Sequence, residues 1–310
     1  MQFRTLGETG LTISTVSFGT SPLGELFGPL DESDAIRLID EVIDSEINFI
    51  DTSPYYGNAE ERLGKALTPA KRDGIILGTK AGRYGFDDFD FSPSRIRRSM
   101  EESLRTLGTD YVDVFQLHDI DFVDIGPVLT EGFAELQRLK DEGKCRFIGM
   151  TGYPINTFRR VIEETDVDVV LTFGKSTLLD SSLDEQLAPV AETHGVGLMN
   201  AAAVALGLLT PGGSTVKIEH PAPEAVQRSA QAMKELAVEK GIDIAFLANQ
   251  FAIQRTRAAT TVIGSRKSKH LQSAIRAADE PIDEELLAEF LALRAPADRR
   301  QWDLGLPENR

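Results

Sequence analysis

Apolar residues fall into two alternating rhythms along this chain. Short unbroken runs come first in each unit: Val16-Ser17-Phe18-Gly19-Thr20, then 48–51, 75–80, 112–118, 146–151, 167–173, 196–201 and 260–264. Runs of this length, bounded by Gly, Pro or charged residues, predict buried strands. Between them lie longer stretches with apolar residues at helical spacing. Ile36, Ile39 and Ile43 carry the first, opened by Asp31 or Ser33 as a cap. Further helices are expected near 59–67, 93–107, 127–142, 154–164, 184–194, 224–240, 243–254 and 267–278, with a last one near 283–293. Ser92-Pro93 suits a helix start, where proline costs nothing. The opening FRTLGETGLTIS predicts a hairpin around Gly-Glu-Thr-Gly, and a Pro/Gly loop is expected at about 205–223.

Eight strands, each followed by a helix, imply a parallel sheet with helical crossovers. Over roughly 250 residues that count matches an α/β fold of the (β/α)8 TIM barrel type, with active sites at the strands' C-terminal ends. The expectation is one barrel domain over 1–310, with an N-terminal β-hairpin and a C-terminal extra helix. A doubly wound open sheet is the alternative. No G-x-G-x-x-G follows the first strand, and Gly195-x-Gly197 precedes a strand instead. Gly174-Lys175-Ser176-Thr177 looks like the tail of a P-loop, but position 169 is Val where that motif needs Gly.

Three strand ends carry chemistry. Ile50 precedes Asp51, and a buried carboxylate asks for a cation. Lys80 ends the next run and His118 the one after it, while Tyr55 and Tyr56 sit in the Pro54/Gly57 break beyond Asp51. An acid, an ammonium, an imidazole and a phenol on one rim suit proton transfer coupled to hydride transfer. A phenol titrates near a pKa of about 10; a nearby ammonium is expected to favour the phenolate. Each residue alone would fit an ordinary rim network. All four at neighbouring strand ends fit chemistry better.

Composition narrows the partners. The chain has 310 residues, is 41% hydrophobic and carries a formal charge of −16, which argues against nucleic acid or anionic membrane as partner. No run approaches the ~18 to 20 apolar residues of a membrane span. The start MQFRTLGETG lacks a signal-peptide core, and the single Cys145 leaves no internal disulfide, so a cytoplasmic location is expected. Histidines 118, 194, 220 and 270 show no metal-ligand spacing, and no metal site is expected. The basic run Arg266-Lys267-Ser268-Lys269-His270 reads as a solvated helix start or as an anion site.

From Thr9-Gly10-Leu11 to Glu280-Pro281 the chain resembles the aldo-keto reductase superfamily. The motifs are Asn48-Phe49-Ile50-Asp51-Thr52-Ser53-Pro54-Tyr55-Tyr56-Gly57, Gly78-Thr79-Lys80, Gln116-Leu117-His118-Asp119 and Val262-Ile263-Gly264-Ser265-Arg266. The resemblance selects Tyr56 over Tyr55 and implies a tetrad of Asp51, Tyr56, Lys80 and His118. It implies NAD(P)(H) lying across the rim without a Rossmann domain. Gly19, Thr20 and Asp51 would line the nicotinamide end, with Thr151 and Gly152 at the carboxamide. Asn200 and Ala201 stand where relatives place a stacking aromatic or Ser and Pro. Gly264, Ser265 and Arg266 would meet the phosphate and adenosine. His270 replaces a Lys or Arg, and Gly264 a Lys, found in NADP-preferring relatives, which leans the cofactor towards NAD with dual use.

Within the superfamily the chain resembles the L-galactose 1-dehydrogenase-like group. The carriers are Arg83-Tyr84-Gly85, Phe89-Asp90-Phe91-Ser92, His118 to Asp124, Gly149 to Pro154 and His220-Pro221-Ala222-Pro223. That group implies oxidation of an aldose C1 hydroxyl to the lactone. Arg83, Asp119 and Trp302 become candidate sugar contacts, with the loops after 80, 118 and 205 forming the pocket. An NADPH-dependent reductase of aldehydes or ketones, a cofactor-binding regulatory subunit and a Schiff-base aldolase using Lys80 are the competing readings. The expected partner is a small sugar or carbonyl compound, with the chain a monomer or weak homo-oligomer.

Overall fold

A computed structural model describes residues 1–26, 28–212 and 220–310. Part of the loop expected at 205–223 therefore lies outside the described residues. The chain opens with an antiparallel pair, β1 (Phe3–Thr5) and β2 (Thr12–Ser14). Eight strands follow: β3 (Val16–Gly19), β4 (Phe49–Asp51), β5 (Ile76–Ala81), β6 (Val112–Leu117), β7 (Cys145–Gly152), β8 (Val169–Phe173), β9 (Gly197–Ala201) and β10 (Thr260–Ile263). They pair in parallel and in sequence order, and β10 closes on β3 to complete a barrel. The open-sheet alternative is thereby excluded.

Every strand of the barrel is covered on both faces, which is why these segments read as apolar runs without alternation. One face packs outward under the helices, with Phe18, Ile50, Leu77, Phe115 and Ile148 in a single large core. The other fills the barrel with Phe49, Val114, Val169, Leu171, Met199 and Val262. Leu6, Leu11 and Ile13 of the hairpin join this inner cluster, so the hairpin plugs the end of the barrel from which the strands start. Glu8 N donates to Gly195 O at 2.8 Å. A Cβ on Gly197 would come within 2.7 Å of the Leu6 side chain. The Gly195-x-Gly197 pair thus makes room for the hairpin.

The helices follow the expected order, with local differences: a short helix Pro69–Asp73 is added, and the helix expected at 184–194 is a π-turn at Leu183–Leu187 followed by Ala188–Thr193. The helix expected at 127–142 starts at Ile125, passes through a π-turn at Val128–Gly132 and continues as Phe133–Asp141. Beyond the last helix, Glu284–Leu291, residues 301–310 fold back across the barrel mouth. Leu306 N and Asn309 Nδ2 both donate to Asp121 O at 2.8 Å. Lys175 Nζ, almost wholly buried, donates to Trp302 O at 2.8 Å and to Asp303 Oδ1 at 2.7 Å. The P-loop-like Gly174-Lys175 is therefore an anchor for the C-terminal tail.

The loops after β3 and β4 meet without a gap. A Cβ on Gly24 would overlap the Tyr56 carbonyl oxygen, and Gly57 turns away at φ 61° directly against Gly24 O. Overpacking of this kind costs about 1–3 kcal/mol. Gly24→Ala is expected to lower the melting temperature by several degrees and to reduce turnover by shifting Tyr56. An unchanged melting curve together with unchanged kcat would show that the two loops can part freely.

Candidate functional site

The C-terminal strand ends bring Asp51, Lys80 and His118 to one quadrant of the rim. Asp51 ends β4 and pairs in register with Gly19 of β3 and Gly78 of β5. Lys80 lies on β5 opposite Gln116 of β6, and His118 follows β6. The Lys80 side chain is completely enclosed. Its ammonium donates to Asp51 Oδ2 in a short contact and to Thr52 O at 2.9 Å. Gln116 Nε2 donates to the other Asp51 oxygen at 3.0 Å. The Asp51 pKa is raised by burial, against a partial downward pull from the Lys80 charge.

Tyr56 belongs to the turn after β4. The Lys80 ammonium lies 5.0 Å from its ring centroid, and the His118 ring meets it edge-on at 5.5 Å. Tyr56 keeps 8% of its surface exposed. Its pKa is raised well above the ordinary 10.0, first by burial and then by the charges of Asp51 and Asp119. This corrects the expectation of a phenol made more acidic by a cation. The downward pull comes from Arg83, and burial outweighs it. Tyr56 is therefore in its acid form at neutral pH. His118 is depressed well below its usual value by burial and by the positive charges of Lys80 and Arg83, so it is neutral there.

Next to His118, Arg83 and Asp119 form a nearly buried ion pair. The guanidinium lies 4.1 Å from the Tyr55 ring centroid and 5.1 Å from those of Phe89 and Phe122. Asp119 sits in left-handed backbone (φ 55°), and its amide donates to Thr151 Oγ1 at 3.0 Å. Its carboxylate is 3.8 Å from His118 Nε2. Trp302 is buried against Tyr153 and His220, with ring centroids 5.8 and 5.5 Å away. It forms part of the wall built by the tail.

The remaining expected residues divide between two places. Thr151 and Gly152 end β7 beside Asp119 and Asp121. Gly19, Thr20, Ala201 and Gly264 occupy the other side of the rim, where side chains are small. Thr20 Oγ1 donates to Thr52 Oγ1 at 2.7 Å. A Cβ on Gly264 would come within 2.9 Å of Pro22 and 3.1 Å of Gly19 O. Asn200 pairs with Thr261, whose hydroxyl bonds Ala252 O of an outer helix. Residues paired across strands share a face, so Asn200 is turned outward, where its amide donates to Ser176 O at 2.9 Å. Ala201, one residue on, is turned inward. Ser265 caps the approach to the helix Ser268–Asp279, accepting from Lys267 N at 3.0 Å. Arg266 and His270 are exposed, and burial followed by Lys269 and Lys267 lowers the His270 pKa.

These features suit a dinucleotide. Small residues make the surface on the β3, β9 and β10 side, with Gly264 closely packed on Pro22, and the helix N-terminus with its cations attracts phosphate. Sequence reasoning missed Gln116, Ser53 and Asp121. Ser53 Oγ lies 3.0 Å from His118 Nδ1, and only its place inside the Asp51–Gly57 motif pointed to it.

Likeness to known proteins agrees with this geometry. The aldo/keto reductase family model matches residues 15–295, and the chain belongs to that family. It is similar over its full length to an L-galactose dehydrogenase of Arabidopsis thaliana, at 38% identity and covering 99% of that protein. It is 31% identical to D-arabinose 1-dehydrogenase of Saccharomyces cerevisiae, covering 78% of this chain and 76% of the relative. Among solved structures it resembles aldo-keto reductase AKR11C1 from Bacillus halodurans in its holo form. That match has a TM-score of 0.78 and 26% identity, with 100% and 99% of the two chains covered. The protein is thus an oxidoreductase of a family that uses NAD(P)(H), and a small molecule is the fitting substrate. No helix among the described residues is long and apolar enough to cross a membrane.

Asp121 gives the site its own pH signature. It is fully buried beneath Gly152 and Gly305, with no side-chain donor to either carboxyl oxygen among the described residues and only partial help from the backbone at Asp121 and Tyr153. Burial, with Asp119 close by, pushes its pKa up to about 8. The unfolded carboxyl releases its proton near about 3.9. The folded state thus binds the extra proton between these values, so stability falls as pH rises from about 4 to 8 and levels off above. Asp121→Asn is expected to melt close to wild type at pH 5 and several degrees higher at pH 8.5. Parallel melting curves for the two proteins across this range would remove Asp121 as the cause.

Proposed function

We propose that the protein is an NAD(P)-dependent aldose 1-dehydrogenase, oxidising the C1 hydroxyl of an L-galactose-like pyranose to the lactone. The observation that carries the reading is the meeting of Asp51, Lys80, Tyr56 and His118 on one quadrant of the rim. The Arg83–Asp119 pair beside His118 supports a polyhydroxylated substrate, because its carboxylate can accept hydrogen bonds from sugar hydroxyls. The full-length similarity to an L-galactose dehydrogenase supports the same class.

In this reading Tyr56 exchanges the proton of the C1 hydroxyl. Its raised pKa makes the phenol the resting form, so oxidation requires that it first lose its proton. Arg83 supplies the positive charge that lowers the cost of the phenolate as it forms, while Lys80, held by Asp51, lies 5.0 Å from the Tyr56 ring. His118, neutral, hydrogen-bonds the reacting oxygen and orients C1. A bound NAD(P) supplies the hydride acceptor. Gly19, Thr20, Thr151 and Ala201 would hold its nicotinamide end, and Gly264, Ser265 and Arg266 its phosphate and adenosine end. The outward turn of Asn200 assigns it to the strand and loop it ties together.

An aldose panel with NAD+ and an aldehyde panel with NADPH, each followed at 340 nm, test the substrate class. Turnover of L-galactose, L-fucose or D-arabinose is expected to exceed that of simple aldehydes, and Tyr56→Phe is expected to cut kcat at least a hundredfold with cofactor affinity nearly intact. Fast aldehyde reduction with negligible sugar oxidation would favour the reductase instead, and near-normal turnover of the variant would take Tyr56 out of the mechanism.

For the cofactor we infer a preference for NAD. The residue at position 270 is a histidine whose pKa is lowered by burial and by Lys269 and Lys267, so it offers a 2′-phosphate less charge than a lysine or arginine would. Replacing it with the permanent charge of His270→Arg is expected to move the NAD/NADP ratio of kcat/KM at least fivefold towards NADP. A wild-type enzyme that already strongly prefers NADP would refute the preference.

A further inference from the structure

Ser53 is fully buried at the head of the turn that carries Tyr55 and Tyr56. Its hydroxyl oxygen accepts the Tyr55 amide at 3.1 Å, and its carbonyl accepts the Tyr56 amide at 3.0 Å. One proton remains on the hydroxyl. Among the described residues, its partner is His118 Nδ1 at 3.0 Å. We propose that Ser53 is a positioning residue whose hydroxyl donates to His118 Nδ1 and so holds the imidazole as the tautomer with hydrogen on Nε2. This rests on the proposed role of His118 in orienting the reacting oxygen.

Two further observations point the same way. His118 is neutral, depressed by burial and by the Lys80 and Arg83 charges, so a single hydrogen must be shared out between two ring nitrogens. On the far edge of the ring, Asp119 Oδ2 lies 3.8 Å from Nε2. A carboxylate beside Nε2 is attracted to an N–H and repelled by a lone pair. The opposite tautomer would set that lone pair against Asp119, and it would leave the Ser53 proton without an acceptor inside a dry turn. Both costs favour Nε2–H. That tautomer gives the rim a donor for the substrate oxygen, whether carbonyl or hydroxyl. The other would offer the same oxygen a second lone pair.

The device also links two parts of the site. The oxygen that sets the His118 tautomer takes the Tyr55 amide and the carbonyl of the same residue takes the Tyr56 amide, so imidazole and the turn that carries the phenol are positioned from one residue. A serine at this point therefore does more than cap a turn, which threonine or aspartate could do equally well in an isolated helix start.

Long-range proton–nitrogen correlation on protein labelled with nitrogen-15 histidine reads the tautomer directly, without substrate. The His118 signals are identified by their loss in His118→Asn. In the wild type Nε2 is expected to carry the hydrogen and Nδ1 to show an unprotonated, hydrogen-bonded shift. Ser53→Ala is expected to mix the two tautomers and lower kcat about tenfold with the KM for cofactor unchanged, and Ser53→Thr to restore both. A hydrogen on Nδ1 in the wild type overturns the proposal, as does a Ser53→Ala variant that keeps both tautomer and kcat. Should Ser53→Ala fail to fold, the wild-type spectrum and Ser53→Thr still decide. The spectrum does not depend on turnover: an Nε2–H tautomer in a protein inert towards every sugar and carbonyl would sink the functional reading and leave Ser53 in place.

Discussion

The rim is organised by one ion pair that water cannot reach. Lys80 is wholly enclosed and Asp51 nearly so, and their strands are direct neighbours in the barrel. An ammonium in such a place is tolerated only when carboxylate and carbonyl oxygens replace its hydration, and here Asp51 and Thr52 do so. The second Asp51 oxygen is taken by Gln116 from the next strand. Three adjacent strands are thus tied at the level of the candidate site. Removing one charge would leave the other buried and unpaired, at about 3–5 kcal/mol. The pair therefore holds the rim together and also fixes a positive charge 5.0 Å from the Tyr56 ring.

The same placement governs how far the amino-acid sequence reveals the site. The barrel was legible because strands covered on both faces must be apolar throughout, and eight such runs with helices between them suit a closed parallel sheet. Asp51, Lys80 and His118 were legible because each interrupts the pattern at or beside a strand's C-terminal end. Gln116 interrupts it too, two residues before His118, but a lone amide within an apolar run has no obvious partner until the neighbouring strand is placed beside it. Ser53 was masked by its turn, where serine is ordinary. Asp121 lies in a loop, and its burial comes from Gly305, far away in sequence.

The electrostatics were less legible than the geometry. A phenol near an ammonium suggests a lowered pKa, yet Tyr56 is shifted upward. Coulombic attraction depends on which charges lie close, and burial depends on everything that packs around the group. Sequence gives the first when motifs are recognised and says little of the second. The same applies to Asn200: its position at a strand end was clear, but which face it took depended on the pairing with Thr261.

The two halves of the rim are built by different means, and this bears on how such a site can change. On the β3, β9 and β10 side the surface is made of strand ends and small residues: Gly19, Ala201 and Gly264. Their size is dictated by close packing, as with Gly264 against Pro22. On the β5 to β8 side the walls come from the loop at Arg83, the turn at Asp119 and the C-terminal tail. That tail is held by Lys175, Asp121 O and the contacts of Asn309 with Val123 O and Thr157. None of these groups hydrogen-bonds to Asp51 or Lys80. Loops and tail can therefore vary without exposing the buried pair, whereas a larger residue at Gly264 would press directly on the β3 loop. Physical coupling thus confines change to the loop and tail side of the rim and keeps the close-packed strand ends and the ion pair fixed.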